Sequence, residues 1–244
     1  VNISTIEDPI EYQMPRINQS QVKPEIGFSF AAGLRSLMRQ DPDVIMVGEI
    51  RDTDTAKVAI NAALTGHLVF STLHTNNAAG TFPRLVELGV NPKIIPSAIN
   101  VAIAQRLVRK VCTKCAKRIK IPENRKALID RVIKNIIKKG DEVLQTDEIF
   151  ESVGCDDCNH TGYKGRIATY EAIFMDKIIE EIIYQNPSER EIAKAANHQN
   201  ILTLQEDGIT KVLGGVTTLD ELERVIDLSV AEKLYDDLES EPTA

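Results

Sequence analysis

Glu49 closes the run Val44-Ile45-Met46-Val47-Gly48-Glu49, a short unbroken apolar pattern tipped by a carboxylate. A side chain at the carboxyl end of a strand in an open α/β sheet faces the crevice where such folds bind ligands. Nucleotide hydrolases keep a catalytic carboxylate in that position. Two further groups of titratable residues are spaced in the same way. Ile6-Glu7-Asp8-Pro9-Ile10-Glu11 ends a β-rich stretch at residues 2–11, with three acids around a strand-stopping proline. The segment 65–77 holds a second apolar run, 68–73, bracketed by His67 and His74. Each group alone has an ordinary explanation: a buried strand before a solvated acidic loop, or a histidine making only structural hydrogen bonds. The combination is what points to a reaction centre.

The elements that must position these residues can be read from the spacing. The tetrad Val44–Val47 is too short and too unbroken for a half-exposed strand, so it is expected at the centre of a parallel sheet covered on both faces. Helix patterns at 28–40 and 54–64 separate the three polar-ended strands. This βαβαβ order implies a parallel sheet with right-handed crossovers, and it gathers carboxylates and imidazoles at one edge.

Cysteine spacing carries a second chemistry. All four cysteines fall into two C-x-x-C knuckles, Cys112-Thr113-Lys114-Cys115 and Cys155-Asp156-Asp157-Cys158. Two knuckles supply the four thiolates that structural zinc prefers. The 39 residues between Cys115 and Cys155 require a helical excursion to loop out of the module. Disulfides are the competing reading, opposed by the lack of a visible signal segment; a redox dithiol needs only one pair. His160 stands beside the second knuckle as a bystander.

Taken together, the chain resembles the secretion ATPase superfamily of type II secretion and type IV pilus assembly. Its Asp box resembles residues 6–11, its atypical Walker B motif residues 34–52, its His box residues 65–75, and its Gln-Arg-Leu stretch Gln105-Arg106-Leu107. The match is continuous over about residues 1–112, and the tetracysteine arrangement marks the assembly and secretion branch rather than the retraction ATPases of pili. The resemblance implies a RecA-like P-loop NTPase fold and a hexameric ATPase on the cytoplasmic side of a bacterial inner membrane, using ATP and Mg2+ and working with an inner-membrane platform protein. It implies that Glu49 polarises the attacking water, that Glu7, Asp8 and Glu11 help to place magnesium and water, and that His67 and His74 sense the γ-phosphate. Arg35, Arg39 and Arg51 are candidate phosphate or subunit-interface partners, with a solvated or salt-bridged arginine as the alternative for each. These roles suit phosphoryl transfer, which needs positioning and charge compensation more than covalent chemistry.

One family part is missing. No stretch of the 244 residues reads G-x-x-x-x-G-K-[ST], the loop whose backbone N–H groups cradle phosphates. Family order places it upstream of the Asp box, so the chain is expected to begin inside the RecA-like domain and to hydrolyse ATP negligibly alone. The expected organisation is a partial ATPase domain at 1–111, a zinc-binding insertion with a basic helix at 112–160, and a C-terminal helical subdomain at 161–244.

With 43% hydrophobic and 27% charged residues and no apolar run approaching about 18 residues, the chain reads as globular, with no membrane insertion. Charge is uneven: residues 106–139 carry +11, leaving −18 on the remainder. An amphipathic helix at 124–139 continues this basic segment, and a solvated face, an anionic membrane surface or partner protein, and nucleic acid compete as its explanation. Nucleic acid fits least, for want of interleaved aromatics. Beyond the second knuckle, a glycine-punctuated turn at 162–166 precedes a strand at 167–174. Helices at 175–185, 189–197, 202–213 and 219–228 are expected to stack into a small bundle. Capping boxes start at Ser188 and Thr218, and an acidic tail at 231–244 is expected to fray. The reading that competes with a motor ATPase is a non-enzymatic zinc-stapled scaffold that docks a partner through its basic helix.

Overall fold

Residues Ile3–Glu7 (β1), Asn18–Gln21 (β2), Val44–Val47 (β3) and Leu68–Ser71 (β4) form a four-stranded sheet in the order β2-β1-β3-β4, with every neighbouring pair parallel. Helix α1 (Phe30–Leu37) joins β2 to β3, and α2 (Thr53–Leu64) joins β3 to β4. Strand order reverses between β1 and β3, so the crevice at their carboxyl ends is the switch point of the sheet. The structure, a computed structural model, describes residues 1–229; the expected fraying of the tail lies outside them.

Local chemistry fixes these elements. Ser29 caps α1 by accepting from the N–H of Ala32 at 3.3 Å, and Asp52 caps α2 by accepting from the N–H of Thr55 at 2.8 Å. Leu34 and Leu37 of α1 and Ala56, Ala59 and Ile60 of α2 are buried, as are Ile6, Ile45 and Val47 of the sheet. Gly33 permits this packing: a Cβ there would lie 2.7 Å from Ile6 Cδ1.

Coverage on both faces of β3 is not found. Val44 and Met46 are half-buried, while their neighbours Leu68 and Phe70 on β4 are 47% and 56% exposed. Among the described residues, β3 is central but packed fully on one face only. The polar strand β2 was not expected, because Asn-Gln-Ser-Gln has no apolar pattern; it forms through backbone pairing to β1.

Downstream come α3 (Thr81–Glu87), α4 (Ile95–Ala98), β5 (Val101–Val111), β6 (Lys117–Lys120), α5 (Glu123–Lys138), β7 (Glu148–Glu151), β8 (Tyr163–Phe174), α6 (Lys177–Ile183), α7 (Glu189–Ala196), α8 (Leu204–Leu213) and α9 (Leu219–Val225). The chain divides into two compact units, Val1–Ala102 with Phe174–Ala195, and Ile103–Ile173 with the chain from Ala196 onward. The terminal helices therefore do not make one bundle. In the first unit α6 packs on α4, burying Ile179 and Ile183. In the second, α8 packs on α5 and α9.

The second unit contains two ribbons, β5 with β8 and β6 with β7. The β6–β7 pair is antiparallel and sets Lys117 opposite Glu151 and Lys120 opposite Glu148, so opposite charges face across the ladder. Helix α5 is the expected excursion between the knuckles, with Leu128, Ile129, Val132 and Ile136 as its buried stripe. Just past its end, Lys139 Nζ lies 2.6 Å from Glu206 Oε2, and both side chains are nearly fully buried. Glu206 also closes a reciprocal capping box with Thr203 at the start of α8.

Candidate active site and metal centre

Parallel pairing places the ends of β1, β3 and β4 on one sheet edge, and these ends carry Glu7 and Asp8, Glu49, and His74 respectively. Gly48 extends β3 by donating to Ile6 O at 2.8 Å. A Cβ at this glycine would lie 3.3 Å from Ile6 O, so the close approach of the two strand ends favours glycine before Glu49. Thr72 donates to Gly48 O at 2.7 Å, and Ile50 N–H donates to Thr72 O at 3.0 Å, which locks the segment after β4 to the segment after β3. This brings His74 Nε2 to 3.0 Å from Glu49 Oε2. Arg51 Nε donates to the same oxygen.

Glu7 ends β1 with its side chain turned inward. Its Oε1 accepts from Thr5 Oγ1 and from Gln19 Nε2, the latter at 3.0 Å. Asp8, in a cis peptide with Pro9, is exposed beside it. Glu11 lies farther along the exposed connection to β2.

The imidazoles do not gather at one edge. His67 precedes β4 and so sits at the amino edge, where its Nδ1 lies 2.9 Å from Ala62 O and 3.3 Å from Thr65 Oγ1 at the end of α2. A four-residue strand separates it from the Glu49 edge, and its partner is a helix carboxyl terminus. Arg35 and Arg39 also lie away from Glu49. They line a groove of about 600 Å³ between α1 and α2, together with Met38, Asp54, Lys57, Val58 and Asn61.

The four cysteines converge. Sγ separations are 4.0 Å for Cys112–Cys155, 3.9 Å for Cys115–Cys158 and 3.8 Å for Cys155–Cys158, and all four atoms lie within 4.8 Å of one another. A tetrahedral shell with Zn–S bonds of about 2.3 Å spaces its sulfurs about 3.8 Å apart. A disulfide needs about 2.05 Å. The donor set and spacing thus fit a closed tetrathiolate metal site, and the thiols are free rather than paired. Burial pushes the Cys158 thiol up, but N–H donation from Cys155 and Gly162, both at 3.2 Å, outweighs it and lowers the thiol to about 6. Burial and the neighbouring thiols hold Cys115 up at about 11, against donation from Gly154 N–H. His160 is turned away, 3.1 Å from Asp156.

Sequence reasoning did not find the node beside this site. Glu221, at the start of α9, accepts from the Arg109 backbone N–H at 3.0 Å and Nε at 2.9 Å, and from Arg224 Nε at 2.8 Å and Nη2 at 2.7 Å. Burial pushes its carboxyl up, but the two guanidinium groups more than offset this and lower it to about 2. Arg109 also stacks on Tyr163, 4.1 Å from the ring centroid. The Thr218–Glu221 capping box is therefore half made: Thr218 accepts from Glu221 N–H, while the Glu221 carboxylate is spent on arginines. The Ser188–Glu191 box is reciprocal.

The basic segment is partly neutralised. Arg109, Lys114, Arg118, Arg125, Lys126 and Lys139 pair with Glu221, Asp157, Glu148, Glu223, Asp147 and Glu206, all of them acids from outside 106–139. These six pairs account for part of the charge imbalance read along the chain. No helix among the described residues is long and apolar enough to cross a membrane.

Comparison with known proteins adds a family. A model described as "Type II/IV secretion system protein" matches residues 1–224. The type IV pilus assembly ATPase PilB of Thermus thermophilus is 46% identical over 222 residues, covering 91% of this chain and 24% of that protein. The type II secretion system protein E of Aeromonas hydrophila is 42% identical over 224 residues, covering 92% of this chain and 42% of its own length. The chain thus spans less than half the length of these relatives. Among solved structures, the pilus retraction motor PilT with bound ADP superposes with a TM-score of 0.63 at 27% identity, covering 91% of this chain and 52% of that one.

Proposed function

Because the chain belongs to the type II/IV secretion system protein family, a family of pilus and secretion ATPases, we propose that it is the carboxylate-bearing and metal-stapled part of a motor that couples ATP hydrolysis to pilin or pseudopilin assembly. The observation that carries this reading is the meeting of Glu49, Arg51 and His74 at the switch-point edge. Glu49 uses one carboxylate oxygen on Arg51 and His74, leaving the other to accept a proton from an attacking water. His74 and Arg51 supply donors where negative charge develops. Glu7 and Asp8, on the adjoining strand end, would hold Mg2+ directly or through water; bound there, the ion would neutralise phosphate charge. Glu11 and His67 would act indirectly, His67 by fixing the end of α2. Arg35 and Arg39 would meet a neighbouring subunit rather than the phosphates of their own.

The reading extends to a homo-hexamer on the cytoplasmic face of the inner membrane, bound to a platform protein. Functionally it keeps an ATPase part at 1–111, an insertion at 112–160 and a C-terminal part at 161–244. Cys112, Cys115, Cys155 and Cys158 would hold Zn2+ as a structural ion that takes no part in the reaction. The scaffold alternative docks a partner through the basic helix, where Arg125, Lys126 and Lys139 are already paired.

A phosphate-release assay tests the reading. Background turnover is expected from the 244 residues, which contain no G-x-x-x-x-G-K-[ST] loop. Magnesium-dependent turnover is expected once the chain is joined to a segment that carries such a loop, and Glu49→Gln should abolish it. Activity surviving Glu49→Gln removes Glu49 from the reaction. Substantial Glu49-dependent turnover by the 244 residues alone removes the need for an added loop.

A further inference from the structure

Lys114 lies inside the first knuckle and Asp157 inside the second, and their side chains meet: Lys114 Nζ donates to Asp157 Oδ1 at 2.7 Å. Lys164, on β8, donates to the other oxygen, Oδ2, at 2.9 Å. Both carboxylate oxygens of Asp157 are thus used, one on the first knuckle and one on the strand that follows the second. We propose that Asp157, gripped by Lys114 and Lys164, is the positioning residue that holds the two knuckles at metal-binding separation. The inference rests on the zinc reading above and names what keeps the site assembled.

Three features support it. The knuckles are 39 residues apart in sequence, so bringing them together carries a loop-closure cost that an ion pair across them helps to offset. The β6–β7 ladder brings the flanking chain together, but the direct ties between the knuckle segments are single hydrogen bonds, Cys112 N–H to Gly162 O at 2.9 Å and Gly154 N–H to Cys115 Sγ at 3.3 Å. The adjacent acid shows that position in the knuckle is not enough. The Asp156 side chain is 99% exposed and pairs only with His160, on its own side of the site.

Charge and geometry act with opposite signs here, which makes the inference testable. A tetrathiolate zinc site is dianionic, so removing a nearby carboxylate would strengthen it if charge alone mattered. Removing a positioning residue loosens it. The clamp is largely solvent-exposed, so its effect belongs in metal retention rather than in global stability.

The experiment is zinc transfer from the purified full chain to a chromophoric chelator, followed by absorbance. Wild type should carry stoichiometric zinc. Asp157→Asn should release it on the order of tenfold faster, the scale of an outer-shell partner's contribution. Lys114→Met with Lys164→Met should match that acceleration, Lys114→Met alone should accelerate less, and Asp156→Asn should leave the rate unchanged. Equal or slower release from Asp157→Asn overturns the clamp while the zinc site stands. Acceleration by Asp156→Asn equal to that of Asp157→Asn overturns it as well, because an acid paired with His160 on its own side of the site would then matter as much as the acid tied to the first knuckle. A wild-type chain without zinc overturns both the metal centre and the clamp.

Discussion

Glu49 in the first unit and Glu221 in the second are both carboxylates near two cationic or imidazole side chains, but their remaining capacity differs. The two oxygens of Glu221 receive the Arg109 backbone and side chain and both donors of Arg224, and the side chain is fully buried. Glu49 meets Arg51 and His74 through one oxygen only, and those partners are 67% and 73% exposed. A saturated carboxylate has no lone pair left for a substrate; it is a fastener. A carboxylate with an open oxygen at a sheet switch point can still act on water. The same contrast separates the cysteine cluster, wrapped by N–H donors, from the exposed Asp8 just past the end of β1.

Perturbation should reproduce this division. The largest effect is expected at the cysteines: Cys158→Ser should abolish zinc binding and lower the melting temperature by about 10 °C, and a strong chelator should lower wild type by a similar amount while leaving the variant unmoved. Calorimetry with and without chelator measures both. Next comes Glu221→Ala, which removes a buried acceptor from the Arg109 backbone N–H and from two partly exposed guanidinium groups and should cost about 1–3 kcal/mol in urea unfolding; a loss under about 0.5 kcal/mol would place Glu221 among ordinary surface pairs. A smaller effect appears with pH. The folded carboxyl of Glu221 is lowered from 4.5 to about 2, so its contribution is full above the unfolded value and is lost as pH falls from 4.5 toward 2. Wild type should therefore lose stability across that window more steeply than Glu221→Gln, as read from unfolding curves at stepped pH. The smallest effect is expected at Glu49→Gln, a change under about 1 kcal/mol because its partners are solvent-exposed. If Glu49→Gln destabilised as much as Glu221→Ala, the distinction between the two carboxylates would fail.

What was readable depended on the range of the interaction. The tetrad Val44–Val47, α1, α2 and the excursion α5 followed from local periodicity and capping, and their bounds were close to those found. The polar strand β2 was invisible because its stability lies in backbone pairing to β1, which leaves no side-chain pattern. Strand β5 carries an alternating apolar pattern that the sequence reading did not assign, whereas the four-residue strands β6 and β7 are too short to stand out, their pairing being remote in sequence. The separation of His67 from His74 did have a local signal: the two flank one strand, so they must lie at its opposite ends. The partners of the basic segment were out of reach of a local reading, because the acids that pair with it lie up to 112 residues away.

The sequence by itself determined the inventory: an acid-tipped strand, a second acid cluster, two histidines around a third strand, and four cysteines in two knuckles. It also determined the family resemblance, since those motifs occur in family order. Tertiary structure decided which members of the inventory meet. Parallel pairing, a property of backbone register, put Glu49 beside His74 and sent His67 to the far edge. Chain closure across 39 residues brought the knuckles together, and Arg109 of the distant strand β5, joined by Arg224 of the same helix, saturated Glu221, while among the described residues one oxygen of Glu49 stays open. Residue type sets what chemistry a side chain can do. Whether its hydrogen-bonding capacity is already used is set by neighbours that only the folded chain supplies.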